Sequence, residues 1–182
     1  MDRLVAFRYS VFRLEALQDY RGSGEEDARV AFQAGKPLPL TPALRTWTHM
    51  VRQRVRSGCV MQRVHVVTSP LTDYIRFELA SYAPNVEAGE DVRIVPVPEG
   101  GSWPVDVPQD DFWLIDSSEL WSQRYDRDGT WLGAEHVTDP EQIVRACRAR
   151  DAALHHSLPW ADYLRGYHPE IVSYLTLTAG QS

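Results

Sequence analysis

The segment Thr72-Asp73-Tyr74-Ile75-Arg76-Phe77-Glu78 carries the residue types best suited to ligand chemistry in this chain. A guanidinium among aromatic rings is suited to bidentate pairing with a carboxylate or a phosphate. The partner of Arg76 is either internal, Glu87 or Asp116, or a small anionic ligand. Asp116 closes a second segment, Asp110-Asp111-Phe112-Trp113-Leu114-Ile115-Asp116, whose aromatic rings offer an apolar wall. Two carboxyl groups do acid/base work only when their surroundings push their pKa values apart, and Glu78 and Asp116 are the candidates. A strand-end aspartate satisfied by backbone amides is the competing reading of Asp116. The expected ligand-binding set is therefore Asp73, Tyr74, Arg76, Glu78, Glu87, Trp113 and Asp116.

Other chemistries find no complete motif. Glu87, Glu90 and Asp91 are oxygen donors, but they do not follow an EF-hand loop. His155, His156 and His168 lack a third ligand at zinc-site spacing. GxSxG, P-loop and GxGxxG patterns are absent. No metal and no cofactor is expected, and no catalytic residue is assigned.

The charge layout separates two surfaces. The net charge of −6 argues against direct nucleic-acid binding, which needs a basic surface. Between Leu38 and Thr72 stand five arginines and no acid, whereas between Pro84 and Glu119 nine acids accompany only Arg93. Arg45, Arg52 and Arg56 form a candidate partner or anion surface. Cys59 and Cys147 lie far apart with no CxxC spacing, which points to a reducing compartment. Arg3, Arg8 and Arg13 interrupt the first apolar stretch, so neither a signal peptide nor a membrane span is expected. The expected location is cytoplasmic.

The elements that must position these residues can be read in order. Phe7, Val11, Leu14 and Leu17 keep helical spacing, which predicts an amphipathic helix from about Leu4 to Tyr20. Ser23 and Glu26 form a capping box for a short helix ending at Gly35. Thr41-Pro42 opens another, with Leu44, Trp47, Val51 and Val55 as its buried stripe and Gly58 as its stop. Residues 59–68 read as a strand. The segment 73–83 reads as a helix stopped by Pro84, although its alternation also permits a strand. Asp91–Val97, Phe112–Asp116 and Leu120–Tyr125 read as strands, and Asp128-Gly129 marks a hairpin. Asp139-Pro140 opens a helix to about His155, with Ile143, Val144, Cys147 and Ala152 or Leu154 inward. Ser157 caps a last helix over 158–164, followed by a tail without clear period.

The expected fold is α/β (α+β): a mixed β-sheet with an antiparallel hairpin, packed by helices, with a helical N-terminal region. At 182 residues, one domain over 1–165 suffices, helical over about 1–58 and sheet-containing over about 59–165, with 166–182 as a tail.

The blocks RLEALQDY, GKPLP, RVHVVTSPLTDYIRFELASYAPNVEAGEDVRIV, DFWLIDS and YDRDGTWLGAE resemble an actinobacterial group, domain-of-unknown-function family 6879, over roughly residues 7–163. Its members are commonly encoded near helix-turn-helix regulators, so the resemblance implies a regulatory or accessory role with such a protein as partner. The strand, helix, strand, DFWLID and hairpin order also looks like a phospholipase D-like fold. Aligning Asp116 with that fold's terminal motif aspartate puts Gln109 and Asp111 where its histidine and lysine would stand, which argues against phosphodiesterase chemistry. The leading expectation is a non-catalytic protein that binds a small ligand or a protein partner. The rival is an enzyme acting on a small phosphorylated or carboxylated metabolite, with Asp116 or Glu78 as acid/base and Arg76 as anion clamp.

Overall fold

The computed structural model describes residues 6–22 and 24–179. A seven-stranded sheet is formed by β1 (Ser10–Glu15), β2 (Val60–Thr68), β3 (Asp91–Val97), β4 (Phe112–Ile115), β5 (Glu119–Tyr125), β6 (Trp131–Val137) and β7 (Leu158–Pro159). Its order is β6-β5-β4-β1-β2-β3-β7. The strands β1, β2 and β3 run parallel to one another, and the remaining pairings are antiparallel. The fold is thus the mixed α/β architecture expected.

The N-terminal helix expected over 4–20 is corrected at its centre, because residues 10–15 form β1 in the middle of the sheet. A central strand is covered on both faces and loses the apolar/polar alternation that marks a half-exposed strand. In β1, Phe12 and Leu14 point to one side, while Val11, Arg13 and Glu15 point to the other. The spacing of Phe7, Val11 and Leu14 only mimicked a helical stripe. The sheet therefore takes its central strand from within the first 58 residues, and is not confined to residues 59–165. Leu4, and the Ser23 of the proposed capping box, lie outside the described residues.

The parallel strands are joined by helices. Between β1 and β2 come α1 (Glu26–Gln33) and α2 (Pro42–Arg56), the latter capped by Thr41, which accepts from the Leu44 amide at 3.2 Å. Between β2 and β3 come α3 (Asp73–Ser81) and α4 (Ala83–Ala88). Thr72 caps α3 by accepting from the Ile75 amide at 3.0 Å, which settles 73–81 as helix. Pro84 does not end the helical path. It stands in the first turn of α4, where a missing N–H costs nothing.

The two faces of the sheet are built differently. On one, Phe12, Leu14, Val64, Val66, Leu114 and Leu120 meet α5 (Pro140–His156). Ala146, Ala149 and Ala153 are its buried residues, and Val144, expected inward, is half exposed. Small alanines let the helix axis approach the sheet, and Val144 falls on the outer side. On the other face, α2, α3, α4 and α6 (Trp160–Tyr167) cover β1, β2 and β3. The C-terminal stretch folds as α7 (Pro169–Ala179), anchored by buried Ile171 and by the Tyr174 hydroxyl, which donates to the Lys36 carbonyl at 2.6 Å.

Candidate functional site

The parallel register places Arg13 beside Arg63 and Glu15 beside His65. In R-L-E and R-V-H the outer residues alternate onto one face, and here that face is the one buried under α3 and α4. The Glu15 carboxylate accepts from Arg13 Nε at 2.6 Å, from Arg63 Nη1 at 3.0 Å and from the Tyr82 hydroxyl at 2.9 Å. Arg63 also donates from Nε to Glu90 at 2.8 Å, and Glu90 accepts from Asn85 Nδ2 at 2.9 Å and Trp47 Nε1 at 3.4 Å. The His65 ring lies 2.8 Å from the Tyr82 hydroxyl and 2.9 Å from the Leu17 carbonyl. Asp111 accepts from the Ala16 amide at 2.8 Å and the Tyr20 hydroxyl at 2.6 Å.

This layer is ionic yet almost sealed from water. Burial pushes the Glu15 carboxyl up, but Arg63 and Arg13 outweigh it and hold the group far below the usual carboxylate range. Burial pulls the His65 pKa down, opposed only in part by Glu15 and the Leu17 carbonyl. Burial drives Glu78 the other way, up to about 8, with Glu15 and Glu25 adding repulsion. At neutral pH Glu78 is therefore a carboxylic acid, beside the Tyr74 hydroxyl at 2.9 Å. Because each partner is fixed by another, the layer acts as a rigid strut between sheet and helices.

Beyond β1, the same face of β4, β5 and β6 is covered by no helix among the described residues and bears a row of rings. Trp113 pairs across strands with Trp121, and Trp121 with His136. The last two rings stack at 4.7 Å. One register step away stand Gln123 and Ala134, and beyond them Tyr125 and Trp131. Trp131 is 56% exposed, His136 is exposed, and Trp113, Trp121 and Tyr125 are half-buried. Trp47 of α2 forms a wall at the inner edge, 6.1 Å from Trp113 centroid to centroid. The ring edges are held by neighbours on the same face: Trp121 Nε1 donates to Glu119 at 2.8 Å and Trp131 Nε1 to Gln123 at 3.2 Å. On the opposite face an open cleft of about 690 Å³ lies between Phe112, Leu120 and Val137 and the Ala146–Ala149 side of α5, lined by Asp106, Asp110 and Asp111 as well as by Arg145 and Arg148.

The residues singled out from the sequence are distributed over these features. Tyr74 and Glu78 are buried under the ionic layer, with Tyr74 joined to Tyr125 through the ring of Tyr20 at 5.6 and 5.4 Å. Trp113 belongs to the open platform. Arg76 bonds neither Glu87 nor Asp116; it donates to Glu170 of α7 at 3.2 Å. Asp73 and Glu87 are exposed. Asp116 accepts from the backbone amides of Arg8, Tyr9 and Ser10 at 2.7–2.9 Å. Burial raises its pKa, and those amides together more than offset this and lower it. Arg45, Arg52 and Arg56 are exposed on α2, Arg45 bonding the Leu40 carbonyl at 3.2 Å. Arg13, Glu15, Arg63 and His65 were missed, although charged residues alternating with valines and leucines inside apolar segments were their signal.

Fold and site together define an α/β protein with a mixed sheet, a buried ionic layer and an aromatic wing that no helix among the described residues covers. The chain matches the model of the family described as domain of unknown function DUF6879 over residues 1–165, and it belongs to that family. No curated protein and no solved structure matched it significantly. No helix among the described residues is long and apolar enough to cross a membrane.

Proposed function

We propose that this protein is a non-catalytic regulatory or accessory protein that binds a protein partner on the aromatic wing of its sheet. The observation that carries this reading is the set of Trp113, Trp121, Tyr125, Trp131 and His136 on strands that no helix among the described residues covers on this face. Exposed aromatic clusters are the typical anchors of binding surfaces. The strut beside them on the same face favours presentation over reaction: its carboxylates and guanidiniums are engaged by one another. A helix-turn-helix regulator is the partner class that the family resemblance suggests. The acid/base rival has less support, since Arg76, Glu78 and Asp116 point to three separate sets of contacts.

A test is affinity capture from the native host with wild type and with the Trp121→Ala/Trp131→Ala double variant, followed by reciprocal capture. The reading expects a partner retained by wild type and lost by the variant. Equal retention by both would remove the platform from the account.

A further inference from the structure

We propose that the outer stripe of α2 is a docking site for an acidic helix of another protein, one that carries carboxylates at a matching spacing. Arg45, His49, Arg52 and Arg56 recur at intervals of four, three and four residues. At 3.6 residues per turn they fall within about 60° of one another and form a row about 16 Å long. All four are exposed. Arg45 Nε donates to the Leu40 carbonyl at 3.2 Å, and among the described residues none of the four has a carboxylate partner. The site is separate from the aromatic wing, which Trp47 meets from another side of the same helix.

Other helices of this chain answer their arginines with acids. Arg29 lies 3.6 Å from Glu26 on α1, Arg145 lies 3.6 Å from Glu141 on α5, and Arg165 pairs with Asp162 on α6. In α2, four arginines stand among fifteen residues with no acid, and only Arg54 is otherwise engaged, over the Phe7 ring at 5.1 Å. The first turn of α2 also lacks the acid that α1, α3, α5, α6 and α7 each carry there. Like charges four residues apart, as in Arg52 and Arg56, repel on a helix surface, so a carboxylate supplied from outside stabilises the row. Glu87 of the adjoining α4 is exposed and makes no bond to it. The net charge of −6 shows that the row is not a by-product of general basicity.

Spacing selects a helix as the occupant. The row advances in steps of about 6, 4.5 and 6 Å, which a second helix repeats when its carboxylates keep the same intervals. An extended strand presents same-side groups about every 6.6 Å and drifts out of phase by about 3 Å over the row. No helix among the described residues bears a row of acids at such intervals, so a second copy of this chain does not supply the partner. Three guanidiniums engage three phosphates, fewer than the roughly six to ten contacts of a nucleic-acid site. Thr46 and Gln53 flank the row on its outer side, where a membrane-lying helix needs apolar groups. Charge complementarity of this kind contributes to encounter rate and register more than to affinity, so the contact is weak and sensitive to salt.

The experiment is fluorescence anisotropy of the full chain at low salt with a labelled alanine-rich helical peptide bearing four glutamates at four-three-four spacing. Comparison probes are a peptide of the same composition with its glutamates spread around the helix, the striped sequence broken by a central proline, and a dT decamer. The Nε–Hε resonances of Arg45, Arg52 and Arg56 are followed in parallel. The expected result is saturable binding of the striped helix with shifts of those resonances, and binding of each comparison probe weaker by about fivefold or more. Arg45→Glu/Arg52→Glu/Arg56→Glu is expected to reject the glutamate stripe and to take a lysine-striped peptide instead, while Trp121→Ala/Trp131→Ala binds the glutamate stripe as wild type does. No binding at millimolar peptide overturns the proposal, as does equal binding of the spread or proline-broken peptide. Binding that shifts none of the three resonances, or that survives the triple variant, overturns the site. Tighter binding of dT than of the striped helix reassigns the row to nucleic acid and overturns the acidic helix.

Discussion

The Arg13 guanidinium lies 4.7 Å from the centroid of the Trp113 ring while its Nε donates to Glu15. One side chain thus joins the buried ionic layer to the open aromatic wing, through an ion pair on one side and a cation–π contact on the other. Burial lowers the Arg13 pKa, but Glu15, Tyr20 and Asp111 together outweigh this and raise it, so the cation persists at any physiological pH. Replacing it by Met leaves Glu15 short of a partner in a desolvated site. Arg13→Met is expected to cost about 3 kcal/mol in denaturant unfolding. Arg13→Lys recovers only part, since a lysine has no planar fork to bond Glu15 while covering Trp113.

Glu78 makes stability depend on pH in a defined direction. Its folded pKa of about 8 lies above its ordinary value of 4.5. The folded state therefore binds more protons than the unfolded state between those values, and stability falls as pH rises through that window. Thermal unfolding at pH 6 and pH 8.5 is expected to show a lower midpoint at pH 8.5. Glu78→Gln, which keeps a neutral hydrogen-bonding group beside Tyr74, is expected to remove most of that difference and to gain about 2 kcal/mol at pH 8.5.

The β5–β6 turn depends on Gly129. Its φ is +81°, and a Cβ there would run into the Asp19 carbonyl, whose segment receives the turn through the Arg21 amide donating to Gly129 O at 2.9 Å. Gly129→Ala is expected to destabilise by about 2 kcal/mol and to broaden the resonances of Trp131 and Tyr125 by loosening the wing. A midpoint unchanged by the substitution would show that the turn is not docked there.

The Arg76–Glu170 pair is solvent-accessible, with side-chain exposures of 43% and 54%. Such pairs contribute little. Arg76→Ala is expected to change stability by less than about 1 kcal/mol and to leave partner capture intact.

The parts of this fold legible in the sequence are those with local punctuation. Thr41-Pro42, Thr72 and Asp139-Pro140 are true helix starts, and Asp128-Gly129 is a true hairpin turn. β1 was not legible because tertiary contacts alone decide it: Arg13 and Glu15 look like the solvent face of a helix until Arg63 is brought beside them. For the same reason Tyr74, Glu78 and Trp113 could be picked out as unusual residues, but not their neighbours. The wing was hidden in plain alternation, since Glu119, Trp121, Gln123 and Tyr125 form one surface with Trp113 and His136 only once β5 is paired with β4 and β6.

The central claim is that the wing is the partner surface, and the six tryptophans test it directly. Trp103 and Trp160 lie away from the wing, donating to the Val107 and Leu79 carbonyls at 2.7 Å. Titrating the partner recovered by capture into ¹⁵N-labelled protein should shift the indole resonances of Trp113, Trp121 and Trp131 and leave those of Trp103 and Trp160 in place. Shifts confined to Trp103 and Trp160, or a saturated complex with no indole moved, would contradict it.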